Sequence, residues 1–241
     1  MRQKIRKIVF FTSLLVFPLT LNWFSPFLVM AAGFQGIVAG SLLLFCSLFI
    51  TSLVFGRMFC SWICPGGSIQ DRVAETRTRR YGGRKVDAIK YFIWIPWIGM
   101  IIWGFISAGG IGEIQLLFMM ENGISVSQAG NWYTFFLVVF VFFILALIFG
   151  KRAACHSICW MSPFMILSRK LRNALKFPAY QLNAFPDSCS KCGTCTKNCP
   201  MSLPVTSMVE EQKMENVECI LCANCVDNCS RKAIVLKFQY P

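Results

Sequence analysis

Long stretches without charge alternate with short charged segments along the chain, and they indicate membrane-spanning helices. No charged residue occurs between Ile8 and Gly56, between Tyr91 and Gly112, or between Asn122 and Gly150. The first stretch can hold two spans of about 20 residues and a tight turn, and each of the others can hold one. The pattern therefore predicts four transmembrane helices, near residues 8–29, 37–57, 91–108 and 131–150.

The distribution of basic residues predicts how these helices are oriented. Residues 30–36 and 109–130, which would face outwards, contain no Lys or Arg, so all 24 basic residues lie on the opposite side or at its helix ends. Basic loops stay in the cytoplasm. We therefore expect a multi-pass protein of the prokaryotic cytoplasmic (inner) membrane with both termini in the cytoplasm.

The excess of basic residues is better explained by the membrane than by nucleic acid, and no nucleic-acid partner is expected. The formal net charge is +13, and 56% of the residues are hydrophobic, a composition too apolar for an ordinary soluble domain. A basic cluster follows the second predicted helix, where it would face anionic lipid headgroups or an acidic redox partner. It comprises Arg72, Arg77, Arg79, Arg80, Arg84, Lys85 and Lys90.

Eight cysteines near the C-terminus repeat one spacing, Cys-x2-Cys-x2-Cys-x3-Cys. This is the ligand pattern of a ferredoxin with two [4Fe-4S] clusters, in which the fourth Cys of each run serves the other cluster. A pair of structural zinc sites is the less favoured alternative. The predicted ligand sets are Cys189, Cys192, Cys195 and Cys229 for the first cluster, and Cys219, Cys222, Cys225 and Cys199 for the second.

The membrane part contains an internal repeat. In each copy, one helix is predicted to cross the membrane outwards and the next to cross it back, and a Cys-x3-Cys motif follows at the inner surface. The two motifs are 95 residues apart. Both copies start and end on the same side, which implies a pseudo-two-fold axis along the membrane normal. The motifs are Cys60/Cys64 and Cys155/Cys159.

These four inner cysteines match a third [4Fe-4S] cluster in number. Residues four apart share one face of a helix, so each motif presents two sulfur atoms together, and both motifs are expected at the same depth. A redox-active thiol pair, a copper site and a zinc site remain alternatives. The only histidine of the chain is His156, and a membrane cytochrome with two haems needs several axial histidines. No haem is therefore expected.

The predicted architecture is an α-helical membrane protein of four transmembrane helices, in two pseudo-repeated hairpins, with a small C-terminal α+β ferredoxin domain. The membrane domain with its inner cysteine pairs would cover residues 1–165. A basic tether would cover residues 166–183, and the two-cluster ferredoxin domain residues 184–241.

This combination of features resembles the NapH/MauN type of membrane quinol dehydrogenase ferredoxin, found in periplasmic nitrate reductase and methylamine utilisation systems. The segment from Gly56 to Pro65, which contains Cys60 and Cys64, fits the family motif closely. The core also resembles the C-terminal half of the nitrous-oxide reductase regulator and a polyferredoxin-like cytochrome oxidase assembly protein. The resemblance covers nearly the whole chain.

The resemblance implies an electron-transfer subunit of an oxidoreductase complex, which connects quinone or quinol in the bilayer with other redox subunits. No motif marks a quinone site, but a position near the inner cysteines makes Trp62, Gln70 and His156 candidates. Two other functions remain open. The inner cysteines could handle copper or disulfides in a reductase or assembly factor, or the membrane part could merely anchor a ferredoxin relay.

Overall fold

The computed structural model describes residues 1–82, 86–121, 123–127 and 129–240. Arg84 and Lys85 of the basic cluster, Asn122 at the start of the last uncharged stretch, and Pro241 lie outside these ranges.

The described residues form helices and four short strands. In chain order the helices are α1 (Arg2–Thr20), α2 (Pro26–Gly33), α3 (Gly40–Phe55), α4 (Met58–Trp62), α5 (Pro65–Thr76), α6 (Ile89–Ser107), α7 (Ala129–Phe149), α8 (Ala153–Ser157), α9 (Ser162–Leu175), α10 (Thr194–Lys197), α11 (Val205–Glu210) and α12 (Asn224–Asp227), with 3₁₀ turns at Leu21–Phe24, Val86–Ala88 and Pro186–Ser188. The strands are β1 (Ile37–Ala39), β2 (Glu113–Gln115), β3 (Ala179–Ala184) and β4 (Ile234–Gln239).

Three helical stretches in the described part of the chain are long and apolar enough to cross a membrane. They are Arg2–Gly33, Val86–Ser107 and Gly130–Phe149. The helix predicted at 37–57 is shorter, because its first residues form β1, which pairs in parallel with β2. The remaining helix, α3, is apolar and has 16 residues. The structure thus supports a helical membrane protein with several apolar helices.

The span predicted at residues 8–29 lies within Arg2–Gly33, but the helix is interrupted after Thr20. Pro26 cannot donate a backbone hydrogen bond to a continuing helix, and the Ser25 hydroxyl instead caps α2 by accepting from Leu28 N at 3.4 Å. The 3₁₀ turn between the helices is held by the loop before α7: Asn22 N donates to Ser125 Oγ at 3.0 Å, and Asn22 Nδ2 donates to the Met119 carbonyl at 3.1 Å.

A layer of short helices joins the apolar helices α1, α3, α6 and α7, and each short helix also packs against the other repeat. Helix α5, which follows the first cysteine motif, packs against α1 and α7, whereas α9, which follows the second, packs against α3 and α6. Each short helix therefore contacts the second hairpin helix of the opposite repeat. This exchange brings the two cysteine motifs to the centre of one layer.

The segment predicted as a basic tether, residues 166–183, forms most of α9 and most of β3. Strand β3 pairs antiparallel with β4, from Ala179 opposite Gln239 to Ala184 opposite Ile234. The ferredoxin domain, called the head below, therefore includes a strand whose residues were predicted to belong mostly to the tether. On α9, Arg169 and Arg172 are buried and pair with Glu215 of the head. Arg169 and Arg172 therefore belong to an interface between α9 and the head.

Buried ion pairs fasten the head to the membrane part. Glu218 of the head accepts from Arg57 at 2.7 Å and from Lys90 at 2.5 Å, and both cationic side chains are fully buried. Burial by itself would raise the pKa of Glu218, but the charges of Arg57 and Lys90 outweigh it and lower the pKa to about 2. The stabilisation is therefore complete above pH about 4.5 and is lost as the pH falls towards 2.

Replacing Glu218 should loosen the head. In Glu218→Gln the two buried cations lose their shared counter-charge, and removing one partner of a buried pair costs about 3–5 kcal/mol. We expect a lower unfolding temperature in detergent and earlier protease cleavage between α9 and the head. Glu211→Gln, at an exposed position of the same domain, is the matched control and should behave as wild type. Equal unfolding temperatures for the two variants would contradict this account.

Candidate metal centres

The first run of head cysteines surrounds a small cavity together with one cysteine of the second run. Its lining includes Cys189, Cys192, Cys195 and Cys229, the set that the spacing predicts. Two backbone amides point at sulfur: Lys191 N donates to Cys189 Sγ at 3.4 Å, and Ala233 N donates to Cys229 Sγ at 3.3 Å. Such amide donors stabilise thiolates bound to a cluster.

The remaining head cysteines surround a second, separate cavity. It is lined by Cys199, Cys219, Cys222 and Cys225 and by apolar side chains such as Met201 and Ile220. Burial raises the pKa of Cys199 to about 12 and of Cys222 to about 11. These thiols stay protonated by themselves, so thiolates here require a bound metal that displaces the protons.

The backbone around the two cavities is the same structure used twice. Left-handed residues recur 30 residues apart, the same offset as the cysteines: Lys191 and Leu221, Gly193 and Ala223, Ser202 and Lys232. Left-handed residues among right-handed ones turn successive N–H groups towards one side, which makes an anion-binding concavity common at iron–sulfur sites. The loops therefore fit a cluster with anionic ligands.

The four inner cysteines also meet in space. Cys60 and Cys64, from α4 and its end, and Cys155 and Cys159, from α8 and its end, are all buried and line one end of a cavity of about 700 Å³. The side chains beside them follow the repeat. Gln70 Nε2 donates to Cys155 Sγ at 3.2 Å, and Met165, 95 residues after Gln70, lies 3.8 Å from Cys60 Sγ through its own sulfur.

Burial dominates the chemistry of the inner thiols. It raises the pKa of Cys159 to about 12, with further contributions from Cys155 and Cys60, and it raises the pKa of Cys64 as well. Burial also raises the pKa of Cys155, against an opposing effect of Arg152. The four cysteines thus sense one another's charge, which groups them electrostatically as one site.

The number of cysteines in each quartet is the number that a cluster needs. A [4Fe-4S] cluster takes four Cys thiolates, and each quartet supplies four. In the described part of the chain, no three Cys, His, Asp or Glu side chains are close enough to hold one metal ion.

Two arginines beside the inner cysteines are site residues that sequence reasoning did not single out. Arg57 and Arg152 are fully buried, and the charge of each interacts with both Cys60 and Cys155. Arg152 pairs with Asp71 at 2.7 Å, as Arg57 pairs with Glu218. Their separation of 95 residues, equal to that of the cysteine motifs, was the signal that could have revealed them.

The cavity extends away from the cysteines towards the loop between α6 and α7. Apolar side chains such as Phe142, Val138 and Trp160 line its walls, and Asn22, Ser25 and Asn131 add polar groups. Met119 and Glu121 line its far end and are exposed. The cavity therefore reaches the surface on that side. Its wall includes the break between α1 and α2, since irregular backbone is tolerated within a membrane where it lines a cavity.

The three residues suggested for a quinone do not line this cavity. The side chain of Gln70 instead contacts the second cysteine motif. Its amide nitrogen donates to Cys155 Sγ, and its amide oxygen accepts from Ala154 N. His156 is buried, with Nδ1 2.9 Å from Asp87 Oδ1 and Nε2 3.2 Å from the Met201 carbonyl. Trp62 ends α4 and is half-buried.

Comparisons with known proteins match both parts of the chain. A family described as "4Fe-4S binding domain" matches residues 37–83 and again residues 132–178, so the second match begins 95 residues after the first and confirms the internal repeat. A second family, "4Fe-4S dicluster domain", matches residues 188–234 and so covers all eight head cysteines. No solved structure matches the chain significantly.

Curated relatives share about a quarter of their residues with the chain. "Putative electron transport protein YccM" of Escherichia coli (strain K12) is 25% identical, over 79% of this chain and 54% of its own length. "Uncharacterized protein MJ0750" of Methanocaldococcus jannaschii is 24% identical, over 79% and 76%. "Methylamine utilization ferredoxin-type protein MauN" of Paracoccus denitrificans (strain Pd 1222) is 25% identical, over 73% and 60%.

The chain spans only about half the length of YccM but most of the length of MJ0750. The repeated membrane motif, the two-cluster head and these relatives agree with one another. The chain belongs to the MauN/NapH-like polyferredoxin family of iron–sulfur electron-transport proteins.

Proposed function

We propose that this chain is a membrane electron-transfer subunit that passes electrons between the quinone pool and a redox partner complex. The observation that carries the proposal is that twelve cysteines gather into three separate quartets, two in the head and one at the inner end of a membrane cavity. Each quartet would hold one [4Fe-4S] cluster, which supplies one-electron transfer when bound.

The quartets are placed for relay. Cys60, Cys155, Cys199 and Cys222 belong to one continuous apolar core. The turn before Cys60 touches the head directly, since a Cβ at Gly56 would lie 3.0 Å from Leu221, between Cys219 and Cys222. Gly56 also has φ +54°, a conformation that favours glycine. The second head quartet therefore sits against the inner quartet, and the first, with exposed Cys192, faces outward to a partner.

The cavity suits a quinone in size and lining. Ligand pockets are about 300–1,000 Å³ and mostly apolar with a few polar groups, and this one has about 700 Å³. Its exposed end lies at the α6–α7 loop, whereas α6 begins beside Lys90, which contacts the head. A quinone bound there would exchange electrons towards the head and protons through the opposite face.

The membrane arrangement follows from the same proposal. Helix α3 would be the fourth span, with β1 completing its length, and the basic inner layer with the head would face the cytoplasm of a prokaryotic inner membrane. The relative MauN is named a ferredoxin-type protein of methylamine utilization, which supports other redox subunits as partners of this chain.

A second candidate function is handling of a soft metal such as copper by the inner cysteines. The Met165 sulfur lies 3.8 Å from Cys60 Sγ, and Met161 lines the same cavity as the four cysteines; thioether with thiolate sulfur selects Cu(I). In that function, or in a simple anchor, only the head would carry iron.

Iron content separates these functions. Purified protein should contain about 12 iron atoms per chain if three [4Fe-4S] clusters are present, and about 8 if only the head is loaded. Cys60→Ala and Cys155→Ala should each remove about 4, and the double variant no more than either, because the residues act as one unit. Cys46→Ala, exposed on α3, is the control and should keep all its iron. A value of about 8 in the unaltered protein would favour the second candidate.

Filling the cavity should block quinol chemistry selectively. In Val138→Phe a larger ring enters the cavity, so we expect at least a tenfold loss of quinol-dependent cluster reduction, with iron content and reduction by dithionite unchanged. Leu137→Phe, at the neighbouring position but 62% exposed, is the matched control. Equal quinol activity in the two variants would place the quinone elsewhere.

Reporter fusions test the orientation. A reporter that is active only in the cytoplasm should work after Gln239, and one that is active only outside should work when inserted between Gly109 and Gly110, because the basic residues stay inside. The reverse result at both positions would invert the topology.

A further inference from the structure

Two buried positive charges flank the inner quartet symmetrically. Arg57 precedes α4 and Arg152 precedes α8, each three residues before the first cysteine of its motif. Both side chains have no solvent exposure. Burying a guanidinium is unfavourable unless opposite charge and hydrogen-bond acceptors surround it. The contacts of each guanidinium therefore show how much of its charge the protein itself compensates.

The protein satisfies each guanidinium only in part. Arg57 Nη1 donates to Glu218 at 2.7 Å and to the Val217 carbonyl at 3.3 Å, while Nε and Nη2 are buried and have no hydrogen-bond partner among the described residues. Arg152 donates through Nε to Asp71 and through Nη1 to the Cys60 carbonyl, both at 2.7 Å, while within the same described ranges Nη2 has no partner.

The counter-charges are also incomplete, in the same way on both sides. Glu218 is shared between Arg57 and Lys90, and Asp71 between Arg152 and Arg6. Each carboxylate thus faces two cations, and within these contacts about one positive charge is left over on each side. Asp87 also acts on Lys90, and its own contact is with His156 Nδ1 at 2.9 Å. Neutral thiols or disulfides would leave both excess charges uncompensated. Four thiolates around a [4Fe-4S] core with two positive charges carry a net charge of about −2, which matches the excess.

We propose that Arg57 and Arg152 are positioning residues that compensate the negative charge of the group held by Cys60, Cys64, Cys155 and Cys159, and that they raise its reduction potential. The proposal rests on the proposed inner cluster. Reduction adds a negative charge to the group, and a nearby fixed positive charge stabilises the reduced form more than the oxidised form. The arginines thereby make the inner centre a better electron acceptor.

The test compares variants that remove one cation from the same carboxylate. Arg57→Gln is paired with Lys90→Gln, which shares Glu218, and Arg152→Gln with Arg6→Gln, which shares Asp71. The largest influences on the Cys155 and Cys159 thiols include Arg57 or Arg152 and neither Lys90 nor Arg6. The measurement is a redox titration of the full chain in detergent, followed by electron paramagnetic resonance, which gives the reduction potential of each centre. The signal of the inner centre is defined as the one that is lost in Cys60→Ala.

We expect Arg57→Gln and Arg152→Gln each to reduce the equilibrium constant for reduction of the inner centre at least tenfold, about 59 mV for a one-electron couple. The paired controls should shift it less. The signal of the first head cluster should stay in place, whereas Arg152 and Arg6 also act on Cys222 of the second head quartet. Arg57→Lys and Arg152→Lys keep the positive charge, so the inner centre should have nearly its unaltered reduction potential in both variants. We expect this result even if the Gln variants fail to assemble the inner cluster.

Different results would contradict the inner cluster and the role of the two arginines. An unaltered protein with about 8 iron atoms per chain would remove both the inner cluster and the role of the arginines. About 12 iron atoms, with Gln variants that titrate like their controls, would remove the arginine role and leave the cluster in place. Lys variants as defective as the Gln variants would show that charge is not what these residues supply.

Discussion

The ion pairs of Glu218 and Asp71 are the interactions on which the rest of this structure depends. Lipid solvates apolar helices equally well in many arrangements, so hydrophobicity alone does not set where the head sits or how deep the inner helices lie. A buried cation separated from its carboxylate costs about 3–5 kcal/mol, so arrangements that break these contacts are disfavoured. Arg57, Lys90, Arg152 and Arg6 therefore specify how the head, α1, α4, α6 and α8 come together.

The pseudo-two-fold arrangement of the membrane part explains why two separated motifs form one site. Because α5 and α9 each pack on the opposite repeat, both cysteine pairs meet in one cavity. The symmetry is broken where the chemistry differs. One arginine is paired from within the membrane part by Asp71, and the other from the head by Glu218. One cysteine meets an amide and the other a thioether. The inner site is thereby linked to the head by an ion pair with Glu218 on one side and by the contact of His156 with the Met201 carbonyl on the other.

The break between α1 and α2 has a similar logic. A continuous helix would have filled the space beside α7 with its own backbone and side chains. The 3₁₀ turn instead directs Asn22 and Ser25 to the cavity wall, and contacts with Ser125 and Met119 satisfy the polar groups that the break exposes. The result is a cavity with one end at thiol sulfur and the other at the surface, inside a mostly apolar bundle.

The sequence by itself determined the composition of the sites and the repeat. Cysteine spacing, an offset of 95 residues and uncharged stretches are local features, and they depend on no contact between distant residues. They predicted the partition of the head cysteines that the structure brings together, the bounds of α6 and α7 to within about two residues, and the family. Only the tertiary structure decided the rest. The break at residues 21–25, the pairing of β3 with β4 and the burial of Arg57, Arg152, Arg169 and Arg172 all depend on partners more than 40 residues away. A charged side chain in a sequence does not indicate whether a carboxylate will contact it in the fold. For these four arginines, that contact determines whether the side chain can be buried.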